Sequence, residues 1–220
     1  MMEELESIGH EFYGKGKIGF PSLMKLKLED TRSLKKWKEI HHGDFAVHKQ
    51  LEVLNCRSIT NLPKFPSLSD LLLENCHQTI LSSDIPSGLQ NLYSLKELHI
   101  SKCPTLVSFT VEKLGSSLKN LRILSCANLE SLPMRLHELQ NLESLSIHGC
   151  PKLVCLPASR LPASPCSLSI MECALLEERC AEGGEDWPKM EHIPEKHITR
   201  VELCPRFELK LQVCAAVSLG

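Results

Sequence analysis

The sequence predicts an α/β solenoid, a curved stack of coils with a parallel β-sheet on its concave face and mostly irregular or short-helical chain on its convex side. Three observations predict it. A leucine-and-cysteine pattern recurs in phase along the chain, its period is nearly constant, and the composition suits one extended apolar core. The chain has 220 residues, 42% of them hydrophobic and 24% charged, which is apolar enough for a folded domain and not charged enough for disorder. Aromatic residues make up only 5%, so leucine must supply most of the interior.

The pattern reads Leu-x-x-Leu-x-Leu/Ile-x-x-Cys, usually followed by x-x-Leu-x-x-Leu-Pro. Its first full unit is Leu23, Leu26 and Leu28, with Thr31 in the cysteine slot and Leu34 and Trp37 behind it. The second has His48 in the first slot, then Leu51, Val53, Cys56, Ile59, Leu62 and Pro63. Leu68, Leu71, Leu73 and Cys76 open the third, whose second half departs from the pattern. The fourth is Leu95, Leu98, Ile100, Cys103, Leu106 and Phe109, and the fifth Leu118, Leu121, Ile123, Cys126, Leu129, Leu132 and Pro133. Leu142, Leu145, Ile147, Cys150, Leu153, Leu156 and Pro157 make the clearest copy. In the last, Pro165 precedes Leu168, Ile170, Cys173 and Leu176. The anchors at 31, 56, 76, 103, 126, 150 and 173 stand 25, 20, 27, 23, 24 and 23 residues apart. That is the roughly 20–29-residue period of leucine-rich repeats.

The spacing has a physical meaning. In Leu-x-Leu both side chains point to one face of a strand, because side chains alternate with period two. Each unit therefore lays one short strand beside the last, and the later leucines turn the return segment against the same core. Leu-Pro marks the end of any helical geometry there, since proline lacks a donor and restricts the residue before it. A single coil cannot enclose its own leucines, so stability belongs to the array.

Charge and export features narrow the function classes. The formal net charge is -2, without the basic surplus by which a protein displaces counterions from nucleic acid. The opening residues Met1-Met2-Glu3-Glu4-Leu5-Glu6 lack the basic flank and apolar run of a signal peptide. No stretch approaches the roughly 20 apolar residues of a membrane-spanning helix, and no Asn-x-Ser/Thr acceptor occurs. The 11 cysteines, odd in number and without an export signal, read as reduced thiols. A cytoplasmic chain is expected, with no nucleic acid and no membrane span.

Cysteine and histidine still call for a weighing of catalysis and metal binding. Cys56, Cys76, Cys103, Cys126, Cys150 and Cys173 repeat at the coil period, and with Thr31 they read as a buried structural ladder. Their thiols would donate weakly to carbonyls where the chain leaves each strand. Parallel Cβ vectors at the strand spacing of about 4.8 Å suit disulfides poorly. No Cys-x-x-Cys pair offers the compact spacing of a structural zinc site. Cys155, Cys166, Cys180, Cys204 and Cys214 stand outside the ladder, and His41-His42 beside Gly43-Asp44 reads as a polar loop. Gly14-Lys15-Gly16-Lys17-Ile18-Gly19 fails as a phosphate loop, with Glu11 where the first glycine belongs and Ile18 where Ser or Thr would reach magnesium. Nothing sets a base or an oxyanion hole beside a nucleophile. The expectation is a non-enzyme with no catalytic residue, cofactor or metal.

The concave face is the informative surface. Residues flanking the strand leucines turn outward, and those expected to meet a protein partner are Lys25, Lys27, Glu52, Leu54, Asp70, Leu72, Glu74, Glu97, His99, Asn120, Arg122, Leu124, Ser146, His148 and Met171. Leu54, Leu72, Leu124 and Met171 among charged and hydroxyl groups suit an interface with scattered anchors, although single exposed leucines are ordinary. Arg122, His99 and Leu124 are the preferred contacts.

The Cys-Pro-x-Leu units resemble the repeat region of plant nucleotide-binding leucine-rich-repeat disease-resistance proteins of the coiled-coil class. Glu6-Ser7-Ile8-Gly9-His10-Glu11-Phe12-Tyr13-Gly14 resembles a linker these proteins carry between repeats, and Phe20-Pro21-Ser22-Leu23 the start of the strand after it. Leu175-Leu176-Glu177-Glu178-Arg179-Cys180, Gly183-Gly184-Glu185-Asp186-Trp187-Pro188-Lys189 and His192-Ile193-Pro194 resemble the family's closing segment. The resemblance covers about residues 2–199. The Leu-x-Gly-x-Ile-Pro ending of extracellular plant receptors does not occur. The resemblance implies a recognition module for a pathogen effector, a host guardee or the receptor's own nucleotide-binding domain, which it helps hold inactive. The alternative is a stand-alone adaptor or scaffold built on the same repeats.

The expected organisation is a partial repeat and loop over 1–19, the solenoid over 20–180, a closing segment over 181–199 and an atypical tail over 200–220. Met2 occupies the anchor of a repeat whose strand would lie upstream, with Leu5 and Ile8 in its return half. On that basis the chain reads as a carboxy-terminal fragment lacking the nucleotide-binding switch. The alternating Phe207–Val213 run leaves two readings open, an edge strand or a loosely attached extension, the second being favoured. Leu121→Asp is expected to cost roughly 3–5 kcal/mol, as an unpaired buried charge does. Hydrogen exchange should then show protection lost in the flanking coils too, whereas melting confined to one coil would reject the shared core.

Overall fold

The computed structural model describes residues 5–13, 20, 22–38, 49–81, 92–110, 117–162 and 167–199. Met2, the Gly14–Gly19 loop, His41-His42, His48, Pro165, Cys166 and the 200–220 tail with Cys204 and Cys214 lie outside these residues. Ten strands are described: β1 (Ser7–Ile8), β2 (Lys25–Glu29), β3 (Lys36–Trp37), β4 (Gln50–Leu54), β5 (Asp70–Glu74), β6 (Glu97–Ser101), β7 (Asn120–Leu124), β8 (Ser144–His148), β9 (Ser167–Met171) and β10 (Glu195–Thr199). Eight of them form a single sheet in the order β2-β4-β5-β6-β7-β8-β9-β10. Every neighbouring pair is parallel and joined without offset, so that Leu26, Leu51, Leu71, Leu98, Leu121, Leu145 and Leu168 form one row. Strands β1 and β3 pair separately, also in parallel, in the return segments. Among the described residues regular helix is confined to α1 (Ala174–Cys180) and α2 (Trp187–Met190), with single 3-10 turns at His10–Tyr13, Gln78–Leu81 and Leu136–Glu138. The fold is a leucine-rich-repeat solenoid.

Burial follows the alternation. Leu51, Val53, Leu71, Leu73, Leu98, Ile100, Leu121, Ile123, Leu145, Ile147, Leu168 and Ile170 are buried, and so are the return-segment residues Leu106, Phe109, Leu129, Leu132, Leu153 and Leu156. All of them belong to one continuous core. Trp37 and Phe65 meet edge-on at 5.4 Å and 77°, an arrangement that sets ring edge against ring face. In the third coil, where the pattern breaks, Ile80 and Leu81 of a 3-10 turn fill the return side instead.

Strands β2 and β4 to β9 each leave the sheet through one residue in the left-handed region. Asp30, Asn55, Asn75, Lys102, Ser125, Gly149 and Glu172, each directly after its strand, have φ between 49° and 66°. From Asp30 to Gly149 the turn aims the backbone N–H at the last strand carbonyl of the next coil. Asp30 bonds Leu54 at 3.0 Å, Asn75 bonds Ser101 at 3.0 Å and Ser125 bonds His148 at 2.7 Å. The cysteine two residues beyond the strand approaches the same kind of carbonyl with its sulfur. Cys56 Sγ lies 3.2 Å from the Leu54 oxygen, Cys103 Sγ 3.3 Å from Ser101 and Cys173 Sγ 3.2 Å from Met171. Cys76 Sγ reaches Val53 at 3.3 Å, and Thr31 Oγ1 stands 2.9 Å from Cys56 Sγ. The described cysteines are all free, and Cys155 is half-buried.

The sheet continues into the closing segment, where β10 pairs with β9 as an eighth strand. Repeat matching misses it because Lys196 stands opposite Leu168, in the leucine slot. The Lys196 ammonium donates to the carbonyls of Glu191, at 3.0 Å, and of Ile193, and it lies 5.3 Å from the Trp187 ring centre. An inward-facing charge on an end strand discourages further pairing.

Asp186 joins this cap to the sixth coil. It is fully buried, accepts the Leu156 N–H at 2.8 Å, and lies 2.7 Å from Lys189 Nζ and 3.3 Å from Arg179 Nε. Burial opposes its charge, but Lys189, Arg179 and the Leu156 N–H outweigh that and hold the carboxyl below its ordinary range. Gly184 passes so close to the Arg179 carbonyl that no Cβ fits.

An L-residue in the left-handed region costs about 1–2 kcal/mol, which glycine avoids. Ser125→Gly should therefore raise stability by about 0.5–1 kcal/mol and Gly149→Ala should lower it by about 1 kcal/mol. The nearest atom to a Cβ at Gly149, Ser125 Cα at 3.4 Å, leaves ordinary contact room, so that loss would be conformational. Urea midpoints at unchanged slope measure both.

Candidate interaction face

The zero-offset register sorts the outward side chains of the sheet into three rows. The first runs Lys25, Gln50, Asp70, Glu97, Asn120, Ser144, Ser167, and the second Lys27, Glu52, Leu72, His99, Arg122, Ser146, Ser169. Glu29, Leu54, Glu74, Ser101, Leu124, His148 and Met171 make the third. Every residue that the sequence nominates for contact lies in these rows, since each flanks an inward leucine. The rows are chemically divided. Charge gathers on β2 to β7, whereas β8 and β9 present Ser144, Ser146, Ser167 and Ser169 beside His148 and Met171.

A depression of about 260 Å³ opens in the charged half, lined by Lys25, Gln50, Glu52, Asp70, Leu72, Glu97, His99 and Arg122, with Leu51, Leu71 and Leu98 beneath them. It gathers Lys25, Glu52, Asp70, Leu72, Glu97, His99 and Arg122 from the nominated set. Lys27, Leu54, Glu74, Asn120, Leu124, Ser146, His148 and Met171 lie elsewhere on the face. Around the depression, Lys25 bridges Glu52 at 2.6 Å and Asn120 Nδ2 donates to Glu97 at 2.5 Å. Ser69 Oγ donates to Asp70, and Lys102 bridges Glu74 at 3.0 Å. Ser69 and Lys102 escape the repeat pattern because they sit just before and just after a strand. Farther along, His148 Nε2 stands 3.0 Å from Glu172, a close approach whose angle is not that of a hydrogen bond.

His99 is the titrating group of the depression. Its Nε2 is enclosed and has no hydrogen-bond partner among the described residues. Burial lowers its basicity, the Arg122 guanidinium lowers it further, and Glu74 opposes both.

Three of the ladder thiols, Cys76, Cys103 and Cys150, are poor nucleophiles, whereas the contact with the neighbouring sulfur lowers the pKa of Cys126 and brings that of Cys173 down to about 7. Burial pushes the Cys76 thiol well up, and a hydrogen bond to the next sulfur together with burial does the same to Cys103 and Cys150. Among the described residues no group of three or more His, Cys, Asp or Glu is placed to hold a metal ion. No helix there is long and apolar enough to cross a membrane.

No family model matches the chain. Over 169 residues it is 28% identical to a putative disease resistance RPP13-like protein 1 of Arabidopsis thaliana, an alignment covering 60% of this chain and 16% of that protein. The chain thus spans about a sixth of that relative's length. Among solved structures, the leucine-rich repeat domain of the type III effector XopL is similar with a TM-score of 0.49 and 23% identity, over 68% of this chain and 53% of that one.

A depressed histidine pKa makes the folded chain the poorer proton acceptor. The associated stability is present above the unfolded value of about 6.5 and is lost as pH falls through the folded pKa. NMR titration of the His99 ring should give a midpoint below that of an ordinary histidine, and Arg122→Gln should raise it. A midpoint at or above the ordinary value would reject this account of the depression.

Proposed function

We propose that this chain is a non-catalytic protein-recognition module of an intracellular plant immune receptor, acting through the outward rows of its sheet. The observation that carries the reading is the face itself. Adjoining strands hold three continuous rows of side chains in fixed register, none of them needed to fill the core. Leu54, Leu72 and Leu124 stand half-buried and Met171 exposed among carboxylates, amides and hydroxyls, the composition of a polar interface with a few apolar anchors. A rigid sheet presents such groups at little entropic cost.

The distant Arabidopsis relative supports placing the module in plant defence. In that setting the partner is a pathogen effector, a host guardee or the receptor's own nucleotide-binding domain, and the compartment is the cytoplasm. The chain serves as the recognition part of a longer receptor whose switch lies elsewhere. A partner shifts such a switch only by binding its restrained and released states unequally.

The test is replacement of Arg122, His99 and Leu124 together by alanine. Binding to a panel of candidate partners, nucleotide-binding domains of plant immune receptors included, would be measured by calorimetry alongside the thermal midpoint. The expected loss is about 30-fold or more for at least one partner, the size of a hot-spot contribution, with folding intact. Unchanged affinity for every partner that the intact chain binds would reject the central part of the face.

A further inference from the structure

The depression on β2 to β7 has a definite charge pattern, and it selects a partner chemistry. Asp70 and Glu97 sit directly opposite each other in neighbouring strands, a placement in which like charges destabilise a sheet. Glu52 and Glu74 flank them, one on β4 and one on β5. Two of the nearby cations are already engaged at the margins, Lys25 with Glu52 and Lys102 with Glu74, and Arg122 stands at the β7 end. Asp70 and Glu97 receive only neutral donors in the described contacts, Ser69 and Asn120. Between the carboxylates stands the half-buried Leu72. Beside it is His99, whose Nε2 has no partner among the described residues.

We propose that this depression receives a single cationic side chain, an arginine or lysine presented beside an apolar residue by a segment of a partner protein. Asp70 and Glu97 hold its charge and Leu72 takes the apolar contact. The inference rests on the recognition reading above and names what that face recognises. An incoming cation relieves the Asp70–Glu97 repulsion, so the cost built into the free sheet is recovered on binding. Arginine suits the place best, because its fork donates to a carboxylate through two N–H groups and has further donors for the second carboxylate. Arg122 and Lys25 stand at opposite ends of the depression. They confine the cation to the middle and repel a second one.

A random dodecapeptide display library panned on the intact chain supplies the probe. Retained peptides should carry one arginine or lysine next to an apolar residue. Synthetic copies should lose roughly tenfold in affinity when citrulline replaces that arginine. The same peptides should lose a similar factor on the Asp70→Asn/Glu97→Gln double variant, with a thermal midpoint unchanged or raised because the repulsion is gone. Affinity lost together with stability would mean that the carboxylates serve the fold, and would overturn the proposal. Peptides without a cation, or indifferent to both changes yet weakened by Leu124→Ala on the same face, overturn the cationic preference and leave recognition by the sheet standing. If no peptide is retained, or none responds to any substitution on β4 to β8, recognition by this face falls and the proposal falls with it.

Discussion

Strands β2 and β4 to β9 each point two aliphatic side chains inward, and a single coil has too little chain to enclose them. Burial comes from the coils on either side. Leu121 and Ile123 are fully buried because β6 and β8 lie in register against β7 and bring Leu98, Ile100, Leu145 and Ile147 alongside. A coil in the middle of the array depends on both neighbours. The ends need another solution, and at the carboxy-terminal end it is Lys196 over Trp187, with Asp186 tying the cap to Leu156.

The corner after each strand explains why cysteine is the anchor. The last strand carbonyl accepts two hydrogen bonds, one from a left-handed residue of the preceding coil and one from the thiol two residues on. Leu54 takes the Asp30 N–H at 3.0 Å and the Cys56 thiol at 3.2 Å, and Ser101 does the same for Asn75 and Cys103. A side chain here must be small, tolerate full burial and still donate weakly, and a thiol meets all three demands. Thr31 fills the first such corner and finds a partner in the Cys56 sulfur. The residue before the cysteine or Thr31 follows no side-chain rule, since its backbone makes the bond. Aspartate, asparagine, lysine, serine, glycine and glutamate all occupy it, at the conformational cost that all but glycine carry.

On the face, one polar network grades into another along the sheet. The β2 to β7 half is crowded with charge, and its exposed ion pairs contribute little to stability because water screens them. Their value lies in the field they present. The serines of β8 and β9 offer donors and acceptors without charge. A partner spanning both halves would meet electrostatic selection at one end and hydrogen-bond matching at the other.

The seven repeat strands, their inward leucines and the outward side of every nominated contact were legible in the chain, because a period-two pattern repeated about every 24 residues has one compact solution. The same pattern also located the cysteine ladder, since a buried thiol at a fixed offset betrays its corner. Which outward residues share a depression emerges only from the stacking of the coils. Lys25 and Arg122 are 97 positions apart in the chain and line the same hollow because strands without offset carry distant residues to equal height. The left-handed corners were equally hidden, as backbone geometry set by a neighbouring coil leaves no consistent residue type behind. The eighth strand stayed out of sight for the same reason. Lys196 breaks the apolar pattern, and hydrogen bonds to β9 hold the strand where a second leucine would have announced it.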